Sequence, residues 1–390
     1  MKIAHIVRRY TRNEWGGTET VVFHTVKEQL RLGHEAKVFC TSALGGAGYD
    51  YFYPYWPMPA ADRLALDKKG GNPYSPKLFN AVAAFEPDVI HIHCGGRLAG
   101  AAVKLAERLG IPSVVSLHGG AVAVPEVELA NMLKPLKGKF PYGGLLDRLC
   151  GLRFDPYARA SALVCISREE ESRLKAVHSR QTVVYLPNGV ALPERVDRSG
   201  RSANDAVQVL CVSRIDYQKN QLALVKMLAA LPKARVRLVG PVTSEWYRDE
   251  LIAKAKTLGV MDRLEILPAL PPESPELAAE FRAADIFVLP SMHEPFGIVA
   301  LEAWAAGVPL VASSVGGLKD FVKDGVNGLV FDPSDDAGLV AAVRRLSEDS
   351  ALGASLAAQA SRDVTAYAWP TLVGRLMDLY VSLQTKGTIR

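Results

Sequence analysis

The stretch 291–307, SMHEPFGIVALEAWAAG, limits the possible folds more than any other part of the chain. It follows a short apolar run, 284–290 (ADIFVLP), turns through Pro295 and Gly297, and enters an apolar, alanine-rich segment with helical character. A strand, a glycine-containing turn and a helix are half of a βαβ unit. Such units build α/β proteins around a parallel sheet. At the start of the helix the first backbone N–H groups have no intrahelical partner and the dipole is positive, so anions bind there. Glu294 lies in the turn and Glu302 on the helix. Carboxylates oppose phosphate but accept hydrogen bonds from sugar and ribose hydroxyls, so the stretch suggests a nucleotide-sugar site. The bland alternative is two solvated glutamates. Ile298, Val299, Ala300, Leu301, Ala303, Trp304 and Ala305 leave almost no polar face, so the helix is predicted to be buried and Glu302 to need a partner.

The same rhythm runs along the whole chain. Residues 2–7 read as a strand, 11–17 as a loop ending in Gly16-Gly17, 18–32 as a helix and 35–40 as a strand. This opening is that of a doubly wound sheet, but its spacing is not GxGxxG, which counts against a dinucleotide oxidoreductase. Further strands are expected at 88–93, 112–117, 162–166 and 182–186, with helices at 76–85, 98–109 and 168–176. A polar stretch, 193–205, reads as a linker. After it the scheme repeats, with strands at 207–212, 235–239, 264–267, 285–289, 309–312 and 328–331. Helices are expected at 221–231, 246–258, 276–283, 339–346 and 351–360. A last periodic segment, 369–383, is expected to pack back on the first half. The predicted organisation is a first domain over 1–190, a second over 191–365 and a terminal helix over 366–390.

The chain has 390 residues, enough for two domains, and is 49% hydrophobic, which argues against disorder. Its net charge of +5 is no nucleic-acid footprint without a clustered patch. Cys40, Cys94, Cys150, Cys165 and Cys211 are scattered without a CxxC pair, as expected for reduced thiols of a cytoplasmic protein. Glu302, Gly307 and Pro309 interrupt the longest apolar window, and no membrane-spanning segment is expected. The segment 125–153 interleaves Lys134, Lys137, Lys139, Arg148 and Arg153 with apolar residues. It suits either an amphipathic cover over the sheet or a peripheral contact with anionic lipid.

The loop 212–220 closes the first strand of the second domain and carries Arg214 and Lys219. Arginine offers a planar fork and lysine a point charge, a good pair for a diphosphate. Two fixed cations can neutralise a leaving pyrophosphate as a metal ion does. No DxD motif or His/Asp cluster asks for a metal.

Together these residues resemble the retaining glycosyltransferases of the GT-B fold, specifically glycosyltransferase family 4. The resemblance covers most of the chain. It includes Gly16-Gly17-Thr18-Glu19, Pro87-Asp88-Val89-Ile90-His91, Ser116-Leu117-His118-Gly119 and Pro187-Asn188-Gly189-Val190. In the second half it includes Ser213-Arg214 with Lys219-Asn220, the Glu294 and Glu302 pair with Pro295-Phe296-Gly297 between them, and Gly316-Gly317. The fold it implies is two Rossmann-like parallel-sheet domains facing a cleft. Arg214 and Lys219 would then hold the donor diphosphate and Glu302 the ribose hydroxyls. Glu294 would bind donor-sugar hydroxyls, with the backbone N–H groups of Phe296, Gly297 and Ile298. Gly16 and Gly17 would let the first-domain loop approach the phosphates, His118 would lie near the transferred sugar, and Ala269 and Leu270 would contact the base. Pro268 stands where the family commonly has glycine.

The activity implied is transfer from a nucleotide diphosphate-sugar, UDP-sugar before GDP-sugar, to a hydroxyl of a glycan or lipid-linked acceptor. It would proceed with retention, without metal or cofactor and without nucleic acid, in cell-envelope polysaccharide or glycolipid synthesis. An epimerase or hydrolase of nucleotide sugars could use the same architecture. A non-catalytic sugar-nucleotide binder would not be expected to keep Arg214, Lys219, Glu294 and Glu302 together.

Overall fold

In a computed structural model, residues 1–11, 16–41, 55–58, 75–119, 148–149, 151–152, 154–192 and 206–387 are described. The linker 193–205 and nearly all of the basic, apolar segment 125–153 lie outside them. The chain divides into two compact units, one of Met1–Pro187 with Trp369–Arg390, the other Asn188–Ala368.

The first unit begins β1 (Lys2–Val7), α1 (Gly17–Arg31), β2 (Glu35–Thr41), β3 (Tyr55–Met58), α2 (Pro76–Ala84), β4 (Val89–Ile92) and α3 (Gly96–Leu109). It continues β5 (Ser113–Ser116), α4 (Pro156–Arg159), β6 (Ala162–Cys165), α5 (Arg168–Val177) and β7 (Thr182–Tyr185). The second contains β8 (Val207–Val212), α6 (Gln221–Ala230), β9 (Ala234–Val239), α7 (Glu245–Thr257), β10 (Leu264–Leu267), α8 (Pro275–Ala283) and β11 (Ile286–Leu289). It is completed by α9 (Ile298–Ala305), β12 (Leu310–Ser313), α10 (Leu318–Phe321), β13 (Leu329–Phe331), α11 (Asp336–Glu348) and α12 (Ser350–Asp363). The last helix, α13 (Trp369–Gly387), returns to the first unit.

Every strand pairing is parallel. The sheet orders are β3-β2-β1-β4-β5-β6-β7 and β10-β9-β8-β11-β12-β13. In each sheet the order reverses beside the first strand, between β1 and β4 and between β8 and β11. Ligands of open α/β sheets bind outside the carboxyl ends of the strands at this switch point. The expected α/β class with two Rossmann-like parallel sheets is what forms. The short helices α4 and α10 go beyond the sequence reading, because four residues carry no period.

Strands buried on both faces read as nearly continuous apolar runs, and β4, β5, β6, β11 and β12 are buried throughout. One face of the first sheet packs Ala4, Ile6, Ile90 and Ile92 under α2 and α3. The other packs Ile3, Val7, Val89 and Val114 under α1 and α13. On that second face the period of two also places His5, His91, His93, Ser116 and His118.

Candidate functional site: the switch-point loops

The loop after β8 is held by its own polar groups. The Asp216 carboxylate accepts from Gln218 N at 3.1 Å and from Thr243 Oγ1 at 3.1 Å. Asn220 adopts φ 50°, a left-handed conformation that asparagine tolerates better than most residues. Gln221, buried at the start of α6, donates from Nε2 to Ser213 Oγ at 2.9 Å and to Arg214 O at 2.7 Å. A Cβ on Gly240, at the end of β9, would lie 2.0 Å from Ser213 O, so glycine there lets the two strand ends close.

The loop after β11 arrives beside it, and Met292 N donates to Gln218 O at 2.8 Å. Phe296 is buried and its ring meets Phe321 at 5.2 Å, which anchors the turn from below. Gly297 takes φ 95° and caps α9 without a side-chain hydrogen bond. Ala300 N donates to Gly297 O at 3.0 Å, and no side chain among the described residues caps the N–H groups of Ile298 and Val299. Trp304, fully buried, packs edge-on against Phe321. From the other side, Gly317 N donates to Glu294 O at 3.2 Å. A Cβ on Gly316 would lie 1.9 Å from that same oxygen, and one on Gly317 2.6 Å from Pro295 O. The Gly316-Gly317 pair, weak as a motif, clamps the backbone of Glu294.

Glu294 and Lys219 meet. Lys219 Nζ donates to Glu294 Oε2 at 2.7 Å, with side chains only 12% and 10% exposed, and Ser291 Oγ donates to the same oxygen at 3.2 Å. An ammonium has three N–H donors, so Lys219 keeps capacity for a second anion. Arg214 is exposed, and no ion pair is formed by it among the described residues. Glu302 is half-buried along α9, and desolvation of its carboxyl together with the nearby Glu273 charge pushes it up to about 7. Its oxygens have no hydrogen-bond donor among the described residues. Glu273 belongs, like Ala269 and Leu270, to the segment between β10 and α8, so this segment neighbours Glu302. The structure thus gathers Lys219, Glu294, Phe296, Gly297, Ile298 and Glu302 at one switch point. Arg214 stands on the same loop as Lys219.

In the first unit, Gly16 has an extended φ of −145° and α1 starts at Gly17 with no side-chain cap. His118 follows β5. Its Nε2 is 3.1 Å from His93 Nδ1, and burial lowers it to about 4. His93 Nε2 lies 2.9 Å from His5 Nδ1, and His5 Nε2 lies 2.8 Å from Gln29 Oε1 of α1. His91 bonds Ser116 Oγ at 2.7 Å and Tyr380 OH of α13 at 2.5 Å. Sequence reasoning named His91 and His118 but missed the network. The signal was histidine at alternate strand positions, where an apolar residue is expected. His5, His91 and His93 bring one nitrogen each within 4.8 Å of the others, close enough for a metal ion. Both nitrogens of each are already engaged in hydrogen bonds, so none is free to ligate.

Two doubly wound parallel sheets in one chain are the architecture of the GT-B class. The sequence profile described as Glycosyltransferase Family 4 matches residues 15–193, and that of Glycosyl transferases group 1 matches residues 194–363. A D-inositol 3-phosphate glycosyltransferase of Thermobispora bispora is 34% identical over 318 residues, covering 76% of this chain and 72% of the relative. D-inositol 3-phosphate glycosyltransferase 1 of Catenulispora acidiphila is 31% identical over 392 residues, covering 94% and 91%. Among solved structures, a sucrose-phosphate synthase from Thermosynechococcus elongatus superposes with a TM-score of 0.75 at 21% identity, covering 99% of both chains. Anabaena Alr3699/HepE in complex with UDP gives 0.73 at 21%, covering 98% of this chain and all of the other. The chain belongs to glycosyltransferase family 4. No helix among the described residues is long and apolar enough to cross a membrane. Cys40, Cys94, Cys165 and Cys211 are free thiols.

Proposed function

We propose that the chain transfers a sugar, with retention, from a nucleotide diphosphate-sugar to an acceptor hydroxyl. The observation that carries this reading is the nearly buried Lys219–Glu294 pair at the β8/β11 switch point, beside the uncapped start of α9. A cation, a carboxylate and free backbone N–H groups within one clamped turn suit a diphosphate joined to a sugar. Arg214, Lys219 and the α9 N–H groups would bind the diphosphate, Glu294 the sugar hydroxyls and Glu302 the ribose. The raised Glu302 carboxyl fits a group awaiting hydroxyl donors rather than one satisfied within the protein.

In the reaction, the bond between the anomeric carbon and the diphosphate oxygen breaks through an oxocarbenium-like state. The acceptor oxygen bonds the same face, and its proton passes to the leaving phosphate. Charge develops on the diphosphate, where Arg214 and Lys219 stabilise it without requiring a metal ion. A UDP-sugar is the favoured donor. UDP is bound in the structurally similar Anabaena protein, which supports that choice.

The acceptor read from the sequence is a glycan or lipid-linked hydroxyl in envelope synthesis. The names of the relatives favour a second reading, D-inositol 3-phosphate. Arg214→Ala separates binding from fold. Its side chain is exposed, so stability should change by less than about 0.5 kcal/mol. UDP affinity measured by calorimetry should fall by tenfold or more. Unchanged affinity would remove the diphosphate role. Assays with UDP-sugars and both acceptor types, with the product anomer read by NMR, test the transfer itself. Inversion would overturn the mechanism, and donor turnover without any acceptor would favour the hydrolase or epimerase.

A further inference from the structure

Helix α6 buries Ala223, Leu224, Val225, Met227 and Leu228, and ahead of them Gln221, which is fully buried too. A primary amide in such a place has to be satisfied by hydrogen bonds. Its Nε2 donates to Ser213 Oγ at 2.9 Å and to Arg214 O at 2.7 Å. The second bond fixes which way the amide faces. A backbone carbonyl only accepts, so the NH2 group and not Oε1 must point at Arg214 O. Oε1 is then turned away and has no partner among the described residues. A buried oxygen without a donor costs stability, and an apolar side chain would avoid that cost. What the amide supplies instead is a hold on the peptide of Arg214.

The backbone on either side of that peptide is tied to the end of β9. Ser213 N donates to Val239 O at 3.0 Å and Ile215 N to Pro241 O at 2.9 Å, and neither bond takes up Arg214 O. The two cations of the loop differ in how they are held. Lys219 is fixed at its own ammonium, which meets Glu294 at 2.7 Å. The Arg214 side chain is exposed and forms no ion pair among the described residues, so the direction in which it leaves the loop depends on its backbone. We infer that Gln221 is a positioning residue for the diphosphate: its buried amide fixes the peptide of Arg214 and thereby aims the guanidinium at the ligand's anionic oxygens. The inference rests on the reading of Arg214 as a diphosphate ligand, and the hydrogen bonds that carry it lie within the second unit alone. A loop fixed in advance spares the ligand the cost of ordering it.

The test is a double-mutant cycle on UDP affinity, measured by calorimetry on the full-length protein. Gln221→Met, which keeps the volume and removes the amide, should weaken UDP binding about fivefold. In an Arg214→Ala background the same substitution should weaken it less than about twofold, because the side chain that Gln221 aims is gone. Equal losses in the two backgrounds would overturn the inference, since Gln221 would then act without Arg214. Tyr247→Phe is the control for loosening of the helix start. The Tyr247 hydroxyl, from α7, accepts from Leu222 N at 3.0 Å and does not touch Arg214 O. Its removal should lower the urea midpoint and leave UDP affinity within about twofold. A loss as large as that of Gln221→Met would show that any loosening of α6 suffices, and the inference would fall. Gln221→Asn draws the amide back by one methylene and carries the same expectations where Gln221→Met does not fold. Unchanged affinity in a folded Gln221 variant, with Arg214→Ala impaired, would overturn this inference alone. Unchanged affinity in Arg214→Ala would overturn the diphosphate reading and this inference with it.

Discussion

At the residue scale, the loop that carries Glu294 is built from groups that cannot be exchanged for their nearest relatives. Gly316 is the strictest case, since a Cβ would reach 1.9 Å from Glu294 O and its φ is 46°. Gly316→Ala should cost about 1–3 kcal/mol in denaturant unfolding and also loosen UDP binding, because the carbonyl it strikes belongs to Glu294. An equally stable variant with wild-type affinity would show that the clamp does not govern the site. Glu302→Ala should weaken UDP binding but leave pyrophosphate binding unaltered in competition assays; equal losses would contradict a ribose contact. Glu302 was legible in the sequence because an apolar helix with one glutamate is anomalous. The glycine clamp was not, because Gly-Gly is common and only the fold shows which carbonyl it protects.

At the element scale, the histidine face of the first sheet should make folding sensitive to acid. Burial lowers His5 and His118 to about 4, and His24, stacked on Trp369 at 4.8 Å, to about 4 as well. The unfolded values lie near 6.5. The folded state therefore refuses protons that the unfolded chain takes up as pH falls below 6.5, and stability drops between about pH 6.5 and 4. Each such histidine removes roughly 2 kcal/mol at pH 5. Urea midpoints should thus fall steeply from pH 7 to pH 5, and fall less in His24→Phe. A flat profile would mean that these imidazoles are charged or exposed in the native state. The strands themselves were readable as apolar runs, and the terminal segment as a period in Leu372, Leu376, Leu379 and Tyr380. What Tyr380 bonds could not be read, since His91 lies 289 positions away in the chain.

At the scale of the whole molecule, the strand orders explain why the candidate site residues fall where they do. The chain reverses direction of growth beside β1 and beside β8, and the loops at those points are the ones bearing His93, Lys219 and Glu294. The repetition of strand, loop and helix made the two sheets legible from sequence. The partition between units follows from the contacts of α13 with α1. We propose that the second unit holds a nucleoside diphosphate through fixed cations. This is tested most directly by thermal unfolding with UDP, GDP and ADP, each with Mg²⁺ and then with chelator. A nucleotide at about 100 times its dissociation constant should add roughly 2.7 kcal/mol and raise the melting temperature by several degrees. UDP should give the largest shift, and chelator should leave it intact. A shift abolished by chelator would contradict binding by Arg214 and Lys219 alone, and no shift with any of the three would contradict the nucleotide site itself.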